Sequence, residues 1–168
     1  MPDKFRMGAI RKPKPHLTGK SMLDIEQLKK QFLNLEFDTK EFALDSDKVV
    51  TVAKMSGETL PEFTDPSHPD FQAPPAFIAS LAAGRHLPIE FPKLGGIPMD
   101  GGKAVTCIHP VKVGEPLTGR THLHDIYDKT GRSGRMVFLV SRMEIFDANG
   151  THVATSDSRM VIREKPSR

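Results

Sequence analysis

His122 and His124 stand two residues apart in a segment rich in strand-forming residues, and Asp125 follows them directly. Residues i and i+2 of a strand share a face, so the two imidazoles are candidates for metal ligation. Asp125 would then face the other way. Two histidines fall short of a ligand set, and cross-strand pairing at an interface is the commoner origin of such a pair, so no metal is expected. Arg132 and Arg135 flank Ser133 and Gly134 in a predicted hairpin, where they offer charge and backbone amides to a phosphate group. A solvated turn explains them equally well. Glu58 follows Gly57 ahead of a proline-rich stretch, and its plain reading is a solvated charge near a helix C-terminus. Gly95-Gly96 and Gly101-Gly102 bracket Pro98 and Asp100 with neither a following helix nor a Lys-Ser/Thr pair, so no dinucleotide or P-loop fingerprint applies and they read as loop punctuation.

These residues need elements to position them. Residues 1–20 carry Pro2, Pro13 and Pro15 among lysines and arginines with little to bury, which predicts a flexible basic arm. Leu23, Ile25, Leu28 and Phe32 have near-helical spacing, with Asp24 and Glu26 in the first turn where the macrodipole favours acids. Leu35 to Leu44 mixes apolar residues with charges and suits an edge strand. Asp45 or Ser46 is placed to cap a second helix over Lys48 to Ser56. Pro61, Pro66, Pro69, Pro74 and Pro75 then fall so densely that neither a helix nor a central strand is expected. A long loop results, and long loops in compact domains are more often functional than incidental. From Ala76 to Leu87 small residues intersperse Phe77, Leu81 and Leu87, which predicts a helix lying close against a sheet.

The second half changes character. Lys103 to His109, Leu117 to Tyr127, Arg135 to Phe146 and His152 to Arg163 are rich in Val, Thr, Ile and Phe and read as four strands. Asp128 to Gly134 and Asp147 to Gly150 are turn-forming, so the last three should form an antiparallel meander. The fold class is therefore α+β, with one domain over residues 21–168.

Composition narrows function. A chain of 168 residues with 38% hydrophobic and 27% charged residues is globular, and its longest apolar runs are far too short for a membrane span. No apolar core follows the basic N-terminus, so no secretory signal is expected and the cytoplasm is the expected compartment. The formal charge is +3, the aromatics include no Trp and one Tyr, and no basic face is interleaved with rings, which argues against nucleic acid. Cys107 is the single cysteine, expected to be a small core residue.

Four stretches together resemble the MaoC-like dehydratases, and among them the N-terminal dehydratase domain likened to fungal fatty-acid synthase. They are VAKMSGETLPEFTDP, APPAF at the next helix, IHPVKVGEPLTGRTHLHDIYDKTGRSGRMVF, and DANGTHVATSDSRMVIR. The resemblance spans about Leu23 to Arg163 and implies the hot-dog fold, an antiparallel sheet wrapped around a long helix. Active members carry a loop Gly-Asp-x-Asn-Pro-x-His-x-Asp, whose first Asp and His hold the water that adds across an enoyl-thioester double bond. Laid on this chain without gaps, Gly57 meets the glycine, Glu58 the catalytic aspartate, Leu60 the asparagine, Pro61 the proline, Phe63 the histidine and Asp65 the last aspartate.

The frame remains while the dyad is gone. Phe63 can neither accept nor donate a proton, and losing a positioned acid or base costs roughly 100- to 10,000-fold in rate. Glu58 keeps a carboxylate, but its extra methylene displaces the oxygen, and errors near 1 Å cost about 100-fold. The resemblance thus implies a subunit of an enoyl-CoA hydratase or 3-hydroxyacyl-thioester dehydratase, the degenerate half of a pair. Its partner would be a second hot-dog subunit carrying the Asp and His. Coenzyme A thioester would be the substrate and no cofactor would be needed. Leu60, Phe63, Pro74, Phe77 and Ile78 would line or support the acyl tunnel, Arg132 and Arg135 would meet coenzyme A phosphates, and Glu58 and Asp65 would keep loop geometry. The alternatives are a self-sufficient homodimer using Glu58 with a displaced histidine, His68 or a strand histidine, and a non-catalytic module that binds acyl-CoA.

Overall fold

The computed structural model describes residues 24–132 and 134–164; the basic arm expected over residues 1–20 lies outside them. The order is α1 (Ile25–Phe32), β1 (Glu36–Phe42), α2 (Ser46–Met55), α3 (Pro61–Thr64), α4 (Pro75–Ser80), β2 (Ile97–Cys107), β3 (Leu117–Gly131), β4 (Gly134–Phe146) and β5 (His152–Arg163). Asp24 caps α1, its carboxylate accepting from the Glu26 and Gln27 amides. Of the two candidates for the second helix it is Asp45 that caps, accepting from Lys48 N at 3.0 Å.

The strands form a five-stranded sheet in the order β1-β3-β4-β5-β2, antiparallel at every pairing. The expected meander is β3-β4-β5, and its first hairpin is tighter than the composition suggests, since Asp128 to Gly131 continue β3. β1 is an edge strand, as its mixed sequence predicts. β2 is the other edge and begins six residues earlier than the predicted strand. It absorbs Gly101-Gly102 as a register shift between Asp100 and Lys103, with Gly102 at φ +89°, so this glycine pair is a bulge within a strand and not loop punctuation. Cys107 closes β2 and is exposed, because an edge strand has no neighbour on that side to cover it; the expectation of a core cysteine was wrong.

Two apolar clusters fill the inner face. Val49 and Ala53 of α2 and Phe77 and Ile78 of α4 pack with Leu117, Met143, Ile145 and Ala154. Ile25, Leu28 and Phe32 of α1 pack with Leu123, Ile126, Val137, Leu139 and Ile162. A band of Thr121, Ser141 and Ser156 separates the two, all three buried.

The helix expected over Ala76 to Leu87 stops after Ser80. Side chains of the sheet take the backbone groups that a longer helix would use internally. Lys103 Nζ donates to Ala79 O at 2.8 Å and Lys40 Nζ to Ala82 O at 2.9 Å. The Asp38 carboxylate accepts from Gly84 N at 2.7 Å, and Ser141 Oγ donates to His86 O at 2.7 Å. The segment after α4 is thereby stretched across the inner face from both edge strands and the middle of the sheet.

Candidate functional site

The loop from Gly57 to Asp65 starts at the end of α2, and its backbone closes that helix. Gly57, at φ +84°, donates its amide to Lys54 O, and Glu58 donates its amide to Ala53 O at 3.0 Å. This pair is a Schellman cap, which requires a left-handed residue where the glycine stands. Glu58 is therefore fixed by its main chain one residue beyond the cap. The residue is half-buried, and its carboxylate makes no hydrogen bond or ion pair among the described residues.

Pro61 opens the single turn of α3 at its first helical position, where its missing amide is no loss. The proline-rich loop thus holds one helical turn where none was expected. Leu60 is about half exposed (51%), and Phe63 is half-buried. Asp65 accepts from Ser67 N at 2.9 Å and from Ser67 Oγ at 2.7 Å, and these two bonds, with a contribution from His68, hold its carboxyl below the usual range. His68 uses Nδ1 to accept from Asp70 N at 3.2 Å. The charge it interacts with is Asp65, and no hydrogen bond joins His68 to Glu58. The loop returns to the core through Gln72 N to Glu62 O and Ala73 N to Val111 O.

Pro74, Phe77 and Ile78 are buried at and inside α4, where they hold it on the sheet. Arg135 pairs with Asp128 at 2.7 Å and with Glu164 at 3.2 Å, which ties the turn end of the β3–β4 hairpin to the chain after β5; Arg132 is exposed in the turn itself. The predicted site residues fall into separate groups: Glu58, Leu60, Phe63 and His68 on the loop, the α4 residues behind it, and the arginines on the hairpin.

A register shift between Leu123 and Asp125 interrupts β3. Leu123 and Ile126 are both buried on the inner face, so the bulge turns His124 and Asp125 toward the outer face together, and the alternation that would have put Asp125 on the inner face does not hold. The His122 and His124 rings lie edge to face with centroids 5.9 Å apart. Burial lowers the His122 pKa, with His124 and Arg142 acting the same way against the pull of Glu144 and Asp157. Among the described residues no group of three or more His, Cys, Asp or Glu side chains is placed to hold a metal.

Sequence reasoning missed the inner-face band. Leu81 to Ala83, Arg85 and His86 roof a cavity of about 30 Å³, whose floor is Thr121, Ser141, Met143, Ser156 and Ser158, with Lys103 at its side. His86, Lys103 and Ser158 also line a larger open cavity of about 350 Å³ beside Pro98, Met99 and Met160. The only sequence signal was a set of serines and a threonine at inward positions of otherwise apolar strands.

An antiparallel sheet packed on a short helix, with a framed loop between α2 and α4, is the arrangement of a hot-dog domain. The family model described as the FAS1-like dehydratase domain region matches residues 31–156, and the chain belongs to that family. Among solved structures, a MaoC-like dehydratase from Phytophthora capsici is 19% identical with a TM-score of 0.58, over 87% of this chain and 52% of that one. The chain thus spans about half the length of that relative. The HadBC (3R-hydroxyacyl-ACP dehydratase) complex from Mycobacterium tuberculosis is 16% identical with a TM-score of 0.58, covering 77% of this chain and 96% of that chain. The ChsH1-ChsH2 complex of the same organism is 17% identical with a TM-score of 0.55, covering 86% and 90%. No curated protein matches the chain. The likenesses support the hot-dog fold expected from the sequence. No described helix is long and apolar enough to cross a membrane.

Proposed function

We propose that this chain is the degenerate half of a cytoplasmic acyl-thioester hydratase or dehydratase, shaping the acyl site beside a second hot-dog subunit that supplies the Asp and His. The observation that carries the reading is the loop. Its frame is held by backbone bonds at Gly57 and Glu58 and by the Asp65 turn, while the position of the histidine holds the half-buried ring of Phe63. A loop that keeps its shape without its proton-transfer group supports a neighbour's chemistry better than its own.

The free edge of β2 supports pairing. Its eleven residues are exposed at all but one position and its outer side has no partner strand among the described residues, an arrangement that invites strand addition. Two of the similar structures, HadBC and ChsH1-ChsH2, are complexes. In this reading coenzyme A thioester is the substrate and no other cofactor is required. In the same reading Pro74, Phe77 and Ile78 would support the acyl site from behind, Leu60 and Phe63 would face the partner's active loop, and Arg132 and Arg135 would meet coenzyme A phosphates.

The test is hydration of an enoyl-CoA by the purified chain alone and after co-expression with a hot-dog chain carrying Asp and His. The expected result is activity only with the partner, changed no more than a few-fold by Glu58→Ala, since that group is not asked to move a proton. Ordinary turnover by the chain alone, abolished by Glu58→Ala, would overturn the proposal in favour of a homodimer, and separate substitutions of His68, His122 and His124 would then identify its base. Thioester binding with no activity beside any partner would instead identify a binding module.

A further inference from the structure

The inner-face cavity has features that the loop lacks. Thr121 is 2% exposed, and its Oγ1 is buried with no hydrogen-bond partner among the described residues. Leaving such a hydroxyl unmatched is unfavourable, and native structures rarely do so without a water, an ion or a ligand to satisfy it. Around it the hydroxyls of Ser156 and Ser158 also make no hydrogen bond among the described residues, and both line the same space. Lys103 Nζ uses one donor on Ala79 O, and an ammonium has three. Arg85 and His86 add further basic character, and no carboxylate lines this cavity among the described residues.

The cavity is small, about 30 Å³, room for roughly two water-sized groups at about 10–15 Å³ each. It is a terminus, too narrow for a whole ligand. The larger cavity that shares His86, Lys103 and Ser158 with it is lined by Pro98, Met99 and Met160, side chains suited to methylenes, and its one acid, Asp100, already accepts from Gly102 N at 2.8 Å. A ligand that fits both spaces has an apolar stem and an oxygen-bearing end.

The geometry points to a subsite for an acyl chain whose far end carries a carboxylate, held by Thr121, Ser156, Ser158 and Lys103. This rests on the reading above that the ligand is an acyl thioester, and it goes further by naming the class of acyl group. A plain alkyl tail would leave the Thr121 hydroxyl unsatisfied and strip water from Lys103. A carboxylate accepts from all four groups, and charge-assisted bonds are the stronger kind.

The test compares binding of glutaryl-coenzyme A and pentanoyl-coenzyme A to the full chain by calorimetry. The two have equal chain length, and neither has a double bond to hydrate. The expected preference for the glutaryl thioester is about tenfold, the scale of one partly exposed charge-assisted bond. Lys103→Met should remove most of that preference while Lys103→Arg retains part of it. Ser156→Ala, which leaves the Ala79 anchor intact, should reduce it about threefold. Equal affinities for the two thioesters overturn the carboxylate subsite and leave the hydratase reading standing. Failure of both to bind, to the chain alone and to its complex with the subunit carrying Asp and His, overturns the subsite and the acyl-thioester reading together.

Discussion

On the outer face of the sheet Arg142 meets Asp157 through two hydrogen bonds of 2.7 and 2.8 Å, while one residue away along the same two strands Ser141 and Ser156 border a buried Thr121 hydroxyl with no partner among the described residues. The outer face continues in the same manner: Tyr127 stacks on Phe138 with centroids 4.7 Å apart, and Lys129 lies over both rings. Polar groups that serve the fold have found each other there. On the inner face the serine and threonine band divides two apolar clusters, and of its three hydroxyls that of Ser141 alone makes a hydrogen bond among the described residues, to His86 O. The contrast separates polarity that builds the sheet from polarity arranged to face something else.

Breaking the outer face should have the largest effect. Burial alone would push the Asp157 carboxyl up, but the hydrogen bonds and charge of Arg142 outweigh it and hold the pKa below the usual range. Asp157→Asn leaves the guanidinium without its bidentate partner. Removing one member of a fully buried pair costs about 3–5 kcal/mol, and because Arg142 keeps 29% side-chain exposure the expected loss is smaller, about 1–3 kcal/mol. Chemical denaturation would show it as a lower midpoint with an unchanged slope. A loss below about 0.5 kcal/mol would place this pair with ordinary surface ion pairs and dissolve the contrast between the faces.

The same face should carry a smaller pH signature. The His122 pKa is lowered from 6.5 in the folded chain, so on acidification the unfolded chain takes up its proton first. The contribution is therefore complete above about pH 6.5 and is lost as pH falls from there through the folded pKa, with a slope of at most about 1.4 kcal/mol per pH unit for one group. Asp157 acts at lower pH: its stabilisation is present above the unfolded value near 3.8 and is lost as pH falls through its depressed folded pKa. Denaturation midpoints at about pH 7.5 and about pH 5 should differ for the native chain and converge for His122→Gln. An unaltered difference in the variant would assign the slope to other histidines.

How much of this was legible in the sequence follows from how local each signal is. The meander could be read from strand-forming runs and the Asp147 to Gly150 turn, where the Asp147 carboxylate accepts the Asn149 and Thr151 amides. The loop frame could be read because a glycine cap and a proline at a helix start are short-range requirements. The length of α4 could not be, since what ends it is Lys40 and Asp38 on one edge, Lys103 on the other and Ser141 between, all distant in sequence. The bulge at His124 was hidden for the same reason, as a single unpaired residue leaves the composition of β3 unchanged. The inner band was the least visible, because Thr121, Ser141 and Ser156 have the residue types of any strand and become a group only once β3, β4 and β5 lie side by side.

The smallest expected effect has the opposite sign and is the sharpest test of the comparison. Thr121→Val keeps the shape of the side chain and replaces the unpartnered hydroxyl with a methyl. Removing half of a made hydrogen bond costs about 1–3 kcal/mol, whereas removing a buried hydroxyl that has no partner among the described residues leaves nothing there newly unsatisfied and adds apolar contact with Met143, its register partner. The free chain should therefore be unchanged or stabilised by up to about 1 kcal/mol, read as a thermal midpoint equal to or above that of the native chain. A carboxylate-tailed thioester should bind the same variant more weakly, so that stability and binding move in opposite directions. A residue whose polar atom served the fold could not do this, since its loss would lower both; a destabilisation beyond about 1 kcal/mol would show that Thr121 belongs with the outer-face groups after all.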